Sequence, residues 1–219
     1  GTVYYTVTNL DNHYQPFQHP GCMSTQADID RMKAKIAAGA EPWTSGYAVL
    51  TNNPHSSASY NANPLPYVYR GGTVQNYTAI MNDAAAAYQC ALRWKISGNT
   101  NFAEAARRNM DGYSATLIQL GGSTDALLML GAQGFDFACA AELLRDYQPW
   151  VDSGGFARFQ NFLVYRFYTD AFHGNGIKQF LQLHNGTCYS HYWLNWDGFA
   201  LSAAAAIGVV CDRKDIFDF

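Results

Sequence analysis

A series of apolar stripes at helical spacing constrains the fold of this chain more than any other feature of its sequence. From residue 77 onward, apolar side chains recur every three to four positions, which is the period of an α-helix. The stripes are Ile80, Ala84, Ala87, Ala91 and Trp94; Phe102, Ala106, Met110, Tyr113 and Leu117; Leu127, Leu130, Phe137, Ala141 and Leu144; and Phe156, Phe159, Leu163 and Phe167. Gly98 ends the first stripe, and Gly121 and Gly122 end the second. Because such short breaks make successive helices antiparallel, the sequence predicts an all-α protein built from helical hairpins.

The residues before these stripes predict a short extended arm, one helix and a long loop. Residues 2–8 alternate β-branched and aromatic side chains, as in a short strand. A capping-box pattern at residues 25–28 begins a helix that ends at Gly39. Residues 51–76 are rich in Asn, Pro, Ser and Tyr and have no periodicity, and a connection of this length is usually functional.

The composition favours a secreted protein and argues against nucleic acid as a partner. Only 14% of the 219 residues are charged, against roughly 25% in an average soluble domain, so uncharged polar side chains must solvate the surface. The net charge is −3 and there is no basic stripe, which phosphate binding would need. No apolar run reaches the roughly 18 to 20 residues that cross a bilayer, so we expect no membrane partner. The chain begins at Gly1 without a leader, as a mature secreted protein does.

Two sequons and the cysteines fit the same compartment. The sequons, at Asn76 and Asn185, predict N-glycosylation. The five cysteines contain no CxxC pair, so we expect no metal site, and their disulfide connectivity stays open. Cys188 and Cys211 are the expected bridge, since they flank the same apolar helix, but roughly 35 Å of helix would separate them and forbid the bond unless the chain folds back.

The chemistry-bearing residues concentrate between positions 184 and 197. These fourteen residues hold two each of His, Asn, Trp and Tyr together with an Asp, and an apolar helix follows them. Amide, imidazole and phenol groups fixed at a helix entrance suit the stabilisation of developing negative charge. The alternative is that these aromatic side chains only pack at the start of the helix, with their O–H and N–H groups hydrogen-bonded inside the fold.

Residues outside that segment add further candidates. Tyr69 and Arg70 precede two flexible glycines in the long loop. The planar guanidinium of Arg70 can donate two hydrogen bonds to one carboxylate, which makes it a candidate for binding an acidic group. The alternative is an arginine that is solvated at the surface. His19, beside a Pro-Gly turn, is a candidate for lining a cleft, and a structural role at the turn is its alternative. The alanine runs at residues 84–87 and 203–206 let helices approach closely, as the inner layer of a helical toroid requires, or else reflect helix propensity.

Several segments taken together resemble fungal secreted proteins of the alginate-lyase type, which are polysaccharide lyases built on an α/α toroid. The matching segments are His-Pro-Gly at 19–21, Ala-Leu-Arg-Trp-Lys-Ile-Ser-Gly at 91–98, Phe-Ala-Glu-Ala-Ala at 102–106, Phe-Ala-Cys-Ala-Ala-Glu-Leu-Leu-Arg at 137–145, His-Asn-Gly at 184–186, His-Tyr-Trp-Leu-Asn-Trp-Asp at 191–197 and Ala-Ile-Gly-Val-Val-Cys-Asp-Arg at 206–213. Their order and spacing across the whole chain make the resemblance specific.

The resemblance implies that residues 1–219 form one α/α toroid domain, an incomplete barrel of antiparallel hairpins preceded by the extended arm. Members of the family continue for roughly as much sequence again, so this chain resembles the N-terminal half. The remaining half would carry a catalytic His and further Tyr residues. A second chain or a C-terminal portion would then complete the site.

The resemblance also implies β-elimination on a 1,4-linked polyuronide, without metal or cofactor. In that reaction a donor stabilises charge on the uronate carboxylate while a base removes the C5 proton. By resemblance Asn195 is the donor, His191 and Tyr192 are candidate base or acid groups, and Trp193 and Trp196 bind the sugar. His184, His19, Tyr69 and Arg70 are further substrate-binding candidates. If the helix began before residue 191, His191 and Asn195 would share one face.

Two other functions remain open from the sequence. A glycoside hydrolase would need two carboxylates at a cleft, for which Asp125, Glu142 and Asp197 are candidates, although an ion pair with Arg145 accounts more simply for Glu142. A carbohydrate-binding protein could keep the fold without catalysis, and the aromatic content of 15% suits either role. The choice between alginate and glucuronan, and between endo and exo action, is also open.

Overall fold

The computed structural model of the protein describes residues 16–169, 176–187 and 189–218. Its helices are, in chain order, α1 (Gln26–Ala37), α2 (Trp43–Asn52), α3 (Thr78–Ser97), α4 (Thr100–Thr116), α5 (Asp125–Leu143), α6 (Gln148–Asp152), α7 (Gly155–Leu163), α8 (Ile177–Leu183), α9 (Asn195–Val210) and α10 (Lys214–Phe217). Two short strands, β1 (Tyr67–Arg70) and β2 (Gln119–Gly122), pair in parallel.

Helices α3, α5 and α9 form an inner layer, with α5 packed between the other two. At one end of the layer, the Trp196 indole donates to the carbonyl of Thr124 at 3.0 Å, so α5 and α9 begin together. At the other end, the Arg145 guanidinium donates to the carbonyl of Val210 at 2.7 Å. The salt bridge between Lys95 and Asp146 places the end of α3 beside the end of α5. The three inner helices are therefore parallel.

Outer helices run back along this layer and close the core. Helix α4 packs against α3, and the Asn109 amide donates to the backbone oxygen of Asp83 at 2.7 Å. Helix α7 packs against α4 and α5. The ring of Phe137 on α5 contacts Tyr113, Phe159 and Phe167 from these outer elements. The predicted all-α architecture of antiparallel hairpins arranged as a toroid is confirmed.

Several predicted boundaries are confirmed by their caps. Thr25 caps α1 through the backbone N–H of Asp28, and the Asp28 carboxylate accepts the N–H of Thr25, so the capping box forms. Gly98 ends α3 in the left-handed conformation, with φ of 73°. The helical stripe that begins at Phe102 is shorter than predicted, because α4 stops at Thr116 and β2 follows.

The strand pair was not predicted from the sequence. Gly122 ends β2 with φ of 128°, and a Cβ there would lie 1.9 Å from the backbone oxygen of Arg70. Only a glycine therefore permits this close pairing of β1 and β2. The arm predicted at residues 2–8 lies outside the described residues.

Helix α5 is long and apolar enough, by length and composition, to cross a membrane. Of its most apolar window, 78% is buried inside the protein. This burial is what the central core helix of a helical toroid requires, because α5 is covered by α3, α9 and the outer helices.

Candidate functional site

The candidate site lies at the end where the three inner helices begin. The segments that precede them meet here: β1 and the residues after it lead into α3, β2 leads into α5, and a short 3₁₀ turn, Ser190–Tyr192, leads towards α9. The Trp196–Thr124 hydrogen bond joins the start of α9 to the residue before α5. Candidate residues that are far apart in the sequence are brought together by this convergence.

Tyr69 and Arg70 form one side of this end. The Asn76 side chain braces β1, accepting the N–H of Tyr69 at 2.7 Å and donating to the carbonyl of Tyr67 at 2.9 Å. The Arg70 guanidinium lies 4.8 Å from the centre of the Tyr77 ring, and this cation–π contact restrains the Arg70 side chain. A hollow of about 460 Å³ opens beside Tyr69, lined by residues 71–74, 122 and 123. Its wall at residue 123 adjoins the Thr124 carbonyl that Trp196 binds.

An aromatic cluster lies at the same end of the layer, just before α9. Its centre is Tyr192, which is only 2% exposed. Its neighbours within ring-contact distance are Phe180, His184, Tyr189, His191 and Trp196. The burial of Tyr192 anchors the 3₁₀ turn and fixes the rings around it, whereas His191 beside it in the turn is exposed.

His184 is fixed by a carboxylate and by rings. Its Nε2 lies 2.7 Å from Asp197 Oδ1, and its ring is packed by Phe180 and Trp193 at 5.1 and 5.5 Å. The backbone of His184 has φ of 44°, an uncommon left-handed conformation for a residue other than glycine. The Asp197 carboxylate, in the first turn of α9, therefore sets the orientation of this imidazole.

Asn195 is the first residue of α9 and is exposed. Leu194 before it has φ of 79°, so the chain changes direction between the 3₁₀ turn and α9, and the two do not form one continuous helix. The expectation that His191 and Asn195 share one helical face is therefore wrong. His191 instead stacks on Tyr189 at 5.4 Å and meets Trp196 edge-on at 5.0 Å. Within the described part of the chain, the Asn195 side chain makes no hydrogen bond.

The structure does not bring His19 to this group. Its Nδ1 lies 2.5 Å from Glu142 and its Nε2 lies 3.0 Å from Asp212, at the far ends of α5 and α9. Arg145 joins the same cluster through Glu142 at 3.2 Å and Asp212 at 3.1 Å, so the expected Glu142–Arg145 ion pair is confirmed. The 16 residues of α9 span roughly 24 Å, so His19 is remote from Asn195. Its hydrogen bonds attach the N-terminal segment to the ends of α5 and α9.

The same geometry separates the hydrolase carboxylates. Asp125 and Asp197 lie in the first turns of α5 and α9, but Glu142 lies at the other end of α5. Asp197 is already paired with His184. The three carboxylates therefore do not form one cleft. In the described ranges, no group of three or more His, Cys, Asp or Glu side chains is placed to hold a metal ion.

The two sequons and the Cys188–Cys211 bridge stay predictions. Asn76 uses both side-chain atoms in holding β1, and the side chain of Asn185 lies outside what the structure describes. Cys211 has a free thiol that donates to the carbonyl of Gln160 at 3.6 Å, while Cys188 lies outside the described residues.

Sequence reasoning missed the positioning contact of Asp197 and the perturbed carboxyl of Asp136. Asp197 was considered only as a hydrolase acid, because nothing in a linear pattern pairs it with His184. Asp136 lies on α5 between two phenylalanines, and burial raises the pKa of its carboxyl to about 6. A lone acid within an apolar stripe was the available signal for this group.

No family model matches the sequence, and no curated protein matches it. Among solved structures, alginate lyase A1-III from Sphingomonas species A1 is similar, with a TM-score of 0.56 and 12% sequence identity. In fold, the chain is similar to an alginate lyase. The match covers 87% of this chain and 55% of that chain, so the protein spans about half the length of alginate lyase A1-III. At this identity the likeness concerns the fold.

Proposed function

We propose that the protein is a polysaccharide lyase that cleaves a 1,4-linked polyuronide by β-elimination. The observation that carries the proposal is the exposed Asn195 amide at the start of α9, next in sequence to Trp196, whose ring contacts His191, on a fold similar to that of an alginate lyase. An amide with no partner among the described residues is free to donate to an anionic group of a substrate. The packed rings of the cluster centred on Tyr192, which includes Trp196, give a sugar a rigid surface.

The electrostatics of this end support an acidic substrate. Helices α3, α5 and α9 all direct their N-termini here, and the partial positive charge of a helix N-terminus favours anions. Arg70 adds a full positive charge from the β1 side. The carboxylates of Asp125 and Asp197 lie at the same end and oppose this charge, and one oxygen of Asp197 is hydrogen-bonded to His184. A uronate carboxylate is the sugar group that this arrangement fits.

The proposed reaction assigns roles by exposure. The Asn195 amide donates to the uronate carboxylate and stabilises the charge that develops there as the C5 proton leaves. His191 is exposed and Tyr192 is 2% exposed, which favours His191 as the base and Tyr192 as the support that fixes it. The C4–O4 bond breaks, the C4–C5 double bond forms, and O4 takes a proton. Trp193, which is 60% exposed, and Trp196 bind the neighbouring sugars.

The test is an elimination assay on polyuronides with and without the Asn195 amide. Incubation with alginate or glucuronan should produce the ultraviolet absorbance of an unsaturated uronate. Asn195→Ala should lower turnover by ~10² to 10³, the usual loss when one preorganised donor to a developing anion is removed. Asn195→Asp should be as harmful, because a carboxylate would face the carboxylate of the sugar.

The matched control is Asn161→Ala, which removes an exposed Asn from outer helix α7. It should leave elimination unchanged. If Asn195 only braced α9, its Ala variant would lose ~1 kcal/mol of stability and keep its activity, so the melting temperature is measured on the same samples. Normal elimination by Asn195→Ala would refute the assignment.

A binding role without catalysis is the second candidate, and the exposure of Trp193 favours it specifically. A ring that is 60% exposed and packed edge-on against His184 is a stacking platform for sugars whether or not a reaction follows. Saturable binding of a polyuronide without new absorbance would support this reading. A rise in reducing ends without that absorbance would indicate hydrolysis instead.

We further propose that the chain corresponds to the N-terminal half of such a lyase domain, in a fungal secreted protein. The coverage of 55% of alginate lyase A1-III supports the idea that a C-terminal portion or a second chain completes the site with further proton-transfer groups. Secretion and N-glycosylation at Asn76 and Asn185 remain part of the proposal. The intact mass of the native protein, before and after glycosidase treatment, tests both points.

A further inference from the structure

Two cysteine side chains meet where the segment before α1 crosses the inner helix α5. Cys22 lies in that segment, and Cys139 lies on α5 with 1% of its surface exposed. Both line one narrow crevice that has no room for a water molecule, together with Tyr88 of α3. The adjacent Cys139 side chain, together with burial, raises the pKa of the Cys22 thiol far above its usual range.

Backbone contacts hold Cys22 at this place independently of the thiols. The N–H of Gly21 donates to Glu142 Oε1 at 3.0 Å, and Glu142 lies one turn after Cys139 on α5. On the other side, the Cys22 thiol lies 3.8 Å from the carbonyl of Ala206 on α9. The chain at residues 21–22 is therefore pressed against the turn of α5 that carries Cys139.

We propose that Cys22 and Cys139 form a disulfide bond in an oxidising compartment, tethering the N-terminal segment to the inner layer. The co-reactant is a disulfide of the glutathione class. Cys22, the less buried of the two, loses its proton to solvent, attacks the reagent and releases one thiol; Cys139 then loses its proton and displaces the other. Two S–H groups are lost, one S–S bond forms, and the disulfide reagent is reduced to two thiols.

The remaining described cysteines do not compete for this bond. Cys90 donates to the carbonyls of His55 and Ser57 at 3.4 and 3.5 Å, and Cys211 donates to Gln160. Neither Cys90 nor Cys211 lines the crevice that Cys22 and Cys139 share. The pairing of Cys22 with Cys139 is therefore the one that the contacts select.

Such a bond would close a loop on the order of 100 residues, which removes much conformational freedom from the unfolded chain. At this chain length the melting temperature should rise by roughly 4 to 16 °C on oxidation. The effect should disappear in Cys22→Ala and in Cys139→Ala. It should persist in Cys211→Ala, which keeps the proposed pair.

The test begins with purified protein incubated with oxidised glutathione, then denatured and alkylated. We expect a mass lower by two hydrogen atoms at the proposed pair, a peptide that links Cys22 to Cys139, and alkyl groups on Cys90 and Cys211. Reductant should lower the melting temperature of the oxidised wild type and of Cys211→Ala, but not that of Cys22→Ala.

Alkylation of both Cys22 and Cys139 after oxidation would overturn the proposal. Linkage of either one to a different cysteine, or to glutathione as the end product, would overturn it as well. If Cys139→Ala does not fold, the peptide map of the wild type and the response of Cys22→Ala to reductant still decide the question. No outcome of this test depends on the enzymatic activity.

Discussion

Asp197 contacts His184 at 2.7 Å and contacts no other ionisable side chain in the described part of the chain, which makes it a positioning residue for that imidazole. Asp197→Asn keeps the shape of the side chain but removes the charge that orients the ring. We expect turnover on a polyuronide to fall by up to ~10², the scale of loss from a small misplacement in a site. We also expect the pH profile of turnover to change. A melting temperature that falls while the activity and its pH profile stay the same would indicate a purely structural contact.

Asp136 should make the protein less stable as pH rises. Burial raises its folded-state pKa from 3.8 to about 6, so between these values the folded state holds a proton that the unfolded state has lost. Stability is therefore highest below the unfolded pKa, falls between about pH 4 and pH 6, and is level above. Asp136→Asn should remove this fall and add on the order of 2 kcal/mol at neutral pH.

The measurement is the denaturant midpoint of wild type and variant at several pH values. Asp30→Asn, which changes an exposed carboxyl on α1, is the control and should leave the pH dependence as it is in the wild type. If Asp136→Asn leaves the slope between pH 4 and pH 6 unchanged, the Asp136 carboxyl is not the group responsible.

At the scale of elements, the close packing of α5 against α9 depends on Gly131. A Cβ at this position would lie 2.7 Å from the backbone N of Ala200, so Gly131→Ala must push the two helices apart. Alanine favours a helix by up to ~1 kcal/mol over glycine, but overpacking costs typically 1 to 3 kcal/mol. We expect a net loss of stability, measured by thermal unfolding.

Gly46→Ala on α2 is the matched control, because no atom lies within 4 Å of the Cβ that it would add. Helix propensity alone then acts, and the variant should be as stable as the wild type or more stable. An equal gain of stability in both variants would mean that the inner helices can separate without cost.

The elements that could be predicted are those whose signals are local. The capping box at Thr25 and the left-handed Gly98 each fix a helix end through a neighbouring backbone group. The strand pair gave no comparable signal, because each strand has four residues and β2 reads Gln-Leu-Gly-Gly. The γ-turn at Leu194, in which the N–H of Asn195 donates to the carbonyl of Trp193, was equally unpredictable, since a leucine disfavours positive φ and only its surroundings impose it.

The same distinction holds for the candidate site. The segment that contains Asn195, His191 and Trp196 was predicted as a site, and the structure places it at one end of the inner layer together with Tyr69 and Arg70. The remoteness of His19 was not predictable, because it depends on which end of α5 its carboxylate partner occupies. Contacts between residues more than 100 positions apart follow from helix packing, which no local pattern contains.

At the scale of the whole molecule, binding of an acidic polymer should depend on the charge at one end of the toroid. Three helix N-termini and Arg70 meet there, so the carboxylates of the polymer should contribute most of the affinity. Arg70→Ala should weaken binding of polyuronide by roughly 10-fold, the loss of one charge-assisted contact. It should also make binding less sensitive to salt. The affinity is measured by titration at two salt concentrations.

Arg158→Ala provides the control for charge, because it removes an exposed arginine from outer helix α7, where it bonds to the carbonyl of Ser153. Both variants lower the net charge of the protein by the same amount, so only a local effect can separate them. A carboxyl-reduced polymer should bind wild type and Arg70→Ala equally weakly, since neither can use a charge that the polymer lacks. Equal weakening of polyuronide binding by both substitutions would show that the overall charge governs affinity, and the end of the toroid would then lose its assignment as the acidic-sugar site.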